Sequence, residues 1–168
     1  MKLALALILI FGATAMAAPS NVDAANCEGV AEYVASMESA IGPYLKLLAD
    51  QPALLEQSPS QMTELARETD AVAEAYRAIS PPDIAIEYHM AAIAGMQSWA
   101  NFLRDAATLG VFTAALLHFG EEESTGDPIT FNEHQGLLAQ RCVDFQPFLV
   151  WLNTYPDDPT SPVASPIR

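Results

Sequence analysis

The sequence is poor in basic residues. Of its 168 residues, seven are Lys or Arg against 21 Asp or Glu, for a formal charge of -14. A surface of that sign repels phosphate backbones and anionic lipid, which excludes nucleic-acid and membrane-surface binding as roles. It attracts cations and basic partners, although solubility is the simpler meaning of the charge. Cysteine is scarce too. There are two, Cys27 and Cys142, and they form no C-x-x-C pair, so a dithiol redox motif and covalent haem attachment through C-x-x-C-H are both missing. No G-x-S-x-G elbow offers a nucleophile, and no glycine-rich loop offers a phosphate cradle. The Glu-x-x-His spacing that carboxylate-bridged metal bundles repeat on two helices is absent. The acidic run Glu121 to Asp127, E-E-E-S-T-G-D, lacks the Asp-x-Asp-x-Asp-Gly order of a calcium loop. No stretch alternates in the manner of a strand, and no internal repeat is visible.

What is present begins with a leader. Lys2 supplies a positive start, Leu3 to Phe11 is an unbroken apolar run, and Ala15-Met16-Ala17 supplies small residues for cleavage before Ala18. Cutting one residue later would place Pro19 first. The run is shorter than the ~20 residues that span a bilayer, and no later run approaches that length without polar interruption. Residues 1–17 therefore read as a signal peptide. The mature chain is expected to be soluble and extracytoplasmic (secreted or periplasmic), with no membrane insertion after cleavage. Cys27 lies well beyond the run and follows Asn26, so it does not read as a lipid-attachment site. About 150 residues remain, enough for one domain that buries roughly 68–70% of its unfolded surface. That domain is placed at 18–155, followed by a Pro-rich tail, 156–168, expected to be disordered. Two cysteines in an exported chain predict one disulfide, Cys27 to Cys142, tying the ends of the fold together.

Helical periodicity dominates the rest. Val30, Tyr33, Val34, Met37, Ile41, Tyr44, Leu45 and Leu48 share one stripe of a first helix, from about Asn26 to Asp50, in which Gly42-Pro43 predicts a kink. After a connector at 51–57, Ser58, Pro59 and Gln61 give a capping-box start to a second helix, running to about Ile79 with a seam of Met62, Leu65, Thr69, Val72, Tyr76 and Ile79. Pro81-Pro82 ends it. The stretch from Ser80 to Leu109 carries two apolar lines. One is Ile86, His89, Ile93, Met96, Ala100, Leu103 and Ala107, and the other is Ile84, Tyr88, Ala91, Gly95, Trp99, Phe102 and Ala106. A face that wide packs against two or more neighbours. Gly110 ends or bends this third helix. Val111 to Phe119 is a further helical piece, and Gly120 follows as its cap. A fourth helix is read from about Thr130, with Phe131, Leu138, Cys142, Phe145, Leu149 and Leu152 inward and a kink at Pro147. The expected fold class is all-α: an antiparallel up-and-down four-helix bundle with kinked first and last helices and one disulfide.

Few positions offer chemistry. His89 sits inside a helical seam, where it needs a hydrogen-bond partner such as Thr69 or the hydroxyl of Tyr33, Tyr44 or Tyr76. A core role predicts that His89→Leu keeps the fold. His134, in the first turn of the fourth helix, is a second candidate ligand. His118 lies in a last turn, where a positive charge suits the helix dipole. Tyr88 and Trp99 are candidate walls of an apolar pocket between helices. The leading expectation is an exported non-enzymatic module, binding or structural, with an unidentified protein or small molecule as partner and no cofactor. The alternative is a metal- or cofactor-binding bundle that uses the inward histidines.

Overall fold

Gly29 sets the start of the first helix. Its φ of 79° lies in the left-handed region that glycine adopts without a Cβ penalty. Its carbonyl accepts the first helical bond from the Tyr33 N–H at 3.0 Å. The computed structural model describes residues 27–119 and 128–154. The expected signal peptide, the whole acidic run Glu121 to Asp127 and the expected tail lie outside the described residues.

Helix α1 spans Val30–Ala49, and the whole stripe read from the sequence is buried. Pro43 lies within it, and the helix continues unbroken past that residue. A short 3-10 turn at Leu54–Glu56 fills the connector. Helix α2, Pro59–Arg77, starts with the expected capping box. The Gln61 N–H donates to Ser58 Oγ, and the Ser58 N–H donates to Gln61 Oε1 at 2.8 Å. It stops two residues before Ile79, which is partly buried beyond the helix end.

Helix α3, Ile86–Leu109, follows a 3-10 turn at Asp83–Ala85 that closes on Pro82. It packs most extensively on α2, and then on α4 (Val111–Phe119) and α5 (Pro128–Arg141). That is the meaning of its two apolar lines: each neighbour takes part of one broad face. Ile86 is the exception in the seam. It begins the helix at the edge of the core and is exposed. Gly110 separates α3 from α4 with a φ of 87° and ψ of 149°, a region closed to residues with a Cβ.

The last stretch is two helices rather than one kinked helix. After α5 the chain becomes extended at Cys142, makes a 3-10 turn at Val143–Phe145, and starts α6, Gln146–Thr154. Pro147 explains the break. Inside a continuous helix its ring would clash with the Val143 carbonyl and leave it unbonded. In the first turn of a new helix it does neither, because no intrahelical N–H is needed there. Phe131, Leu138, Cys142, Phe145, Leu149 and Leu152 are all buried as read, and the Tyr88 ring contacts Phe131 and Phe145.

The described residues contain no strand and form six α-helices rather than the four expected. Pairings fix directions. Tyr44 of α1 meets Thr69 of α2, while Tyr33 reaches the level of Tyr76 through His89, so α1 and α2 are antiparallel. Asp70–Arg104 and Tyr76–His89 make α2 and α3 antiparallel. Cys27 and Cys142 are joined, with Cα atoms 5.6 Å apart, so the entry to α1 is tied to the exit of α5. Among the described residues no helix is long and apolar enough to cross a membrane.

Candidate functional site

His89 stands where α1, α2 and α3 meet. It is 4% exposed, and its Nδ1 lies 3.1 Å from the Tyr33 hydroxyl. The Tyr76 ring lies nearly parallel to the imidazole, with ring centres 6.1 Å apart. Burial lowers the imidazole pKa from the usual 6.5, so the neutral ring is favoured. With the ring proton on Nε2, Tyr33 donates to Nδ1. Of the partners open to His89 from sequence, Tyr33 is the one used. Tyr44 and Thr69 instead bond each other at 2.7 Å. The single threonine proton goes to the Leu65 carbonyl at 2.8 Å, so Tyr44 is the donor in that pair. Two polar bridges thus cross the core from α1, one to α3 and one to α2.

An open groove of about 590 Å³ lies beside this cluster, between the start of α1 and the α2–α3 connection. Gly29, Glu32, Ser36 and Pro82 contribute to its walls, and Tyr33 reaches it from within. The Tyr33 hydroxyl is turned to His89, which does not itself line the groove. The arrangement pins three helices together.

The other sequence candidates do not converge on it. His134 is one-quarter exposed, and its Nδ1 lies 3.3 Å from Glu87 Oε2 at the start of α3. His89 and His134 are thus held by different partners. Tyr88 and Trp99 are buried among rings, Tyr88 edge-on to Phe145 and Trp99 stacked on Phe102 with centres 5.0 Å apart. They are core residues here rather than walls of the groove. Among the described residues no group of three or more His, Cys, Asp or Glu side chains is placed to hold a metal ion. His118 has a partner that periodicity could not supply. Its Nε2 lies 2.8 Å from Asp105 Oδ2, which fastens α4 to α3.

Two features escaped the sequence reading. Glu38 lies at the edge of the α1 stripe, one residue after Met37, with one carboxylate oxygen buried and unbonded. Burial pushes its pKa up from 4.5 to about 7. The second is the outer side of α4. Val111, Ala114, Ala115 and His118 turn inward, whereas Phe112 is 78% exposed, Leu116 56% and Leu117 61%. Phe112 and Leu116, two apolar positions of this helix, face out. The signal was in the sequence, since a nine-residue helix that is apolar on every side cannot bury all of them against a single neighbour.

Compared with known proteins, the chain matches no family model, no curated protein and no solved structure.

Proposed function

We propose that this protein is an exported, disulfide-tied, non-enzymatic binding module whose recognition surface is the outer side of α4. In this reading α1, α2, α3 and the α5–α6 pair serve as the four walls of a bundle, and α4 is an addition laid on α3. The observation that carries the reading is the exposed apolar set Phe112, Leu116 and Leu117, joined by Leu109 at the end of α3. A patch of exposed apolar side chains on one helix marks an interaction site more often than single exposed ones such as Leu55 or Met90 do. The buried His89 cluster supports the same reading: its polar atoms brace helices and are not offered to solvent. Export rests on the leader, and the Cys27–Cys142 pair agrees with an oxidising compartment.

The test is photo-cross-linking. A photoreactive phenylalanine analogue at position 112 should capture one discrete partner in the exporting cell, and Leu116→Gln should abolish the adduct. The same adduct from a control position on α2, such as Arg67, would refute the assignment of the surface. N-terminal sequencing of the processed protein should begin at Ala18.

A further inference from the structure

The groove between the start of α1 and the α2–α3 connection is richer in hydrogen-bond acceptors than in donors, and that bias selects a ligand. Its volume of about 590 Å³ falls within the roughly 300–1,000 Å³ of small-molecule sites. Ile79, Pro81 and Pro82 give it an apolar wall, while Glu32, Ser36, Ala78 and Ser80 give it polar ones.

Most donors along these walls are already committed. The Ala78 N–H donates to the Glu74 carbonyl, and the Ile79 N–H donates to the Tyr76 carbonyl. The Ser36 hydroxyl donates to the Glu32 carbonyl at 2.9 Å, which leaves its oxygen as an acceptor. Ser80 keeps a hydroxyl that can do either. Pro81 and Pro82 have no N–H at all. They also stand three and four residues after Ala78, where the donors to its carbonyl would lie, so neither a 3-10 nor an α-type bond forms there. The Ala78 carbonyl, at the C-cap of α2, therefore stays an acceptor at the negative end of that helix. Arg77, the basic residue of the last turn, is taken up by Glu74. Glu32 is exposed, and among the described residues it has no Lys, Arg or His partner.

Three kinds of ligand can be weighed against these walls. The first-turn N–H groups of α1 attract an anion, but Glu32 lies in that same turn and Glu28 just before it, so an anion meets two carboxylates. A neutral alcohol gains nothing from the charge of Glu32. An alkylammonium ion matches both walls: its N–H groups need acceptors, a charge-assisted bond to a carboxylate is the strongest of these, and its methylene stem needs an apolar surface. The formal charge of -14 draws cations toward the chain as a whole.

Independently of the reading of α4, we propose that this groove is a second site, which takes an alkylammonium ion. The head group donates to Glu32 and to the carbonyl end of α2, and the stem lies along Ile79 and Pro81.

The probe is 1,5-diaminopentane, titrated into the full processed protein by isothermal calorimetry. Pentane-1,5-diol and pentanedioate, of the same length, are the neutral and anionic comparisons. The diamine should bind and the other two should not. Its affinity should fall about tenfold or more in Glu32→Gln, a difference of about 1.4 kcal/mol. Ser36→Trp keeps every charge and fills the groove, so it should abolish binding. Both sites are exposed, and circular dichroism should stay unchanged. Glu64→Gln, on α2 outside the groove, should bind as the parent does. A short peptide with one lysine and blocked ends separates the two sources of the ion. Tighter binding of that peptide, lost in Glu32→Gln, would support the site with a protein side chain as the donor. Weaker binding would support a free amine. A diamine that does not bind, or a diol that binds equally well, would overturn the proposal. Undiminished binding in Glu32→Gln or Ser36→Trp would overturn the placement, and an equal loss in Glu64→Gln would reduce the effect to overall charge and overturn it as well.

Discussion

The Tyr33–His89 bridge can be dissected by a double-mutant cycle. From sequence alone, leucine at position 89 looks harmless. In the structure it would leave the Tyr33 hydroxyl buried with no partner, because Nδ1 at 3.1 Å is the group it meets. An orphaned buried hydroxyl costs about 1–3 kcal/mol, so His89→Leu should destabilise by that amount. Tyr33→Phe leaves the imidazole nitrogen orphaned instead and should cost a similar amount. For a domain of this size each kcal/mol lowers Tm by roughly 2–4 °C. The double variant removes both polar ends, so it should be destabilised by less than the sum, with a coupling of about 1 kcal/mol. Urea unfolding at pH 8 measures all four corners. There is also a pH signature. The folded-state pKa of His89 lies below 6.5, so the unfolded chain binds the proton more readily. The stability that neutral His89 contributes is therefore fully present above pH 6.5 and is lost as the pH falls through the folded-state value. The His89→Leu penalty should shrink over that window. Additivity of the two single variants within about 0.3–0.5 kcal/mol would refute the bridge.

Other perturbations address separate parts of the fold. Alkylation after denaturation without reductant should find no free thiol. Reduction should cost about 4–5 kcal/mol, because Cys27 and Cys142 close a loop with a separation of 115 residues, and two labelled thiols would contradict the link. Gly110→Ala should destabilise by about 1–3 kcal/mol in urea titration, since φ 87° with ψ 149° excludes a Cβ, and an unchanged midpoint would contradict that backbone. Glu38 has its folded-state pKa raised from 4.5 to about 7, so the folded state holds the proton more tightly and loses stability as pH rises from 4.5 through 7. Glu38→Gln should gain on the parent across that window in thermal melts. Parallel profiles would show that the carboxyl is not buried.

Local signals carried the parts of the fold that are local. Ser58, Pro59 and Gln61 determine the start of α2 through bonds within four residues, and the α1 stripe needs nothing beyond its own period. The cysteine pair was legible because only one pairing exists. Pro147 was read correctly as a disturbance but with the wrong remedy. Whether a chain kinks or starts a new helix depends on what the preceding turn packs against, and Val143–Phe145 packs on α1. The inward position of His89 followed from spacing. Its choice of Tyr33 over Tyr44 did not, because it depends on the register between α1 and α3. Likewise α4 displayed its apolar character in sequence, but which residues faced out became clear only once Asp105 and His118 fixed its rotation.

The most direct test of the central claim is photo-cross-linking in the exporting cell from Phe112 on the outer side of α4 and from Arg67 on α2. A partner adduct at Phe112 that is lost in Leu116→Gln, with none at Arg67, is the expected result. The same adduct from Arg67 would contradict the claim.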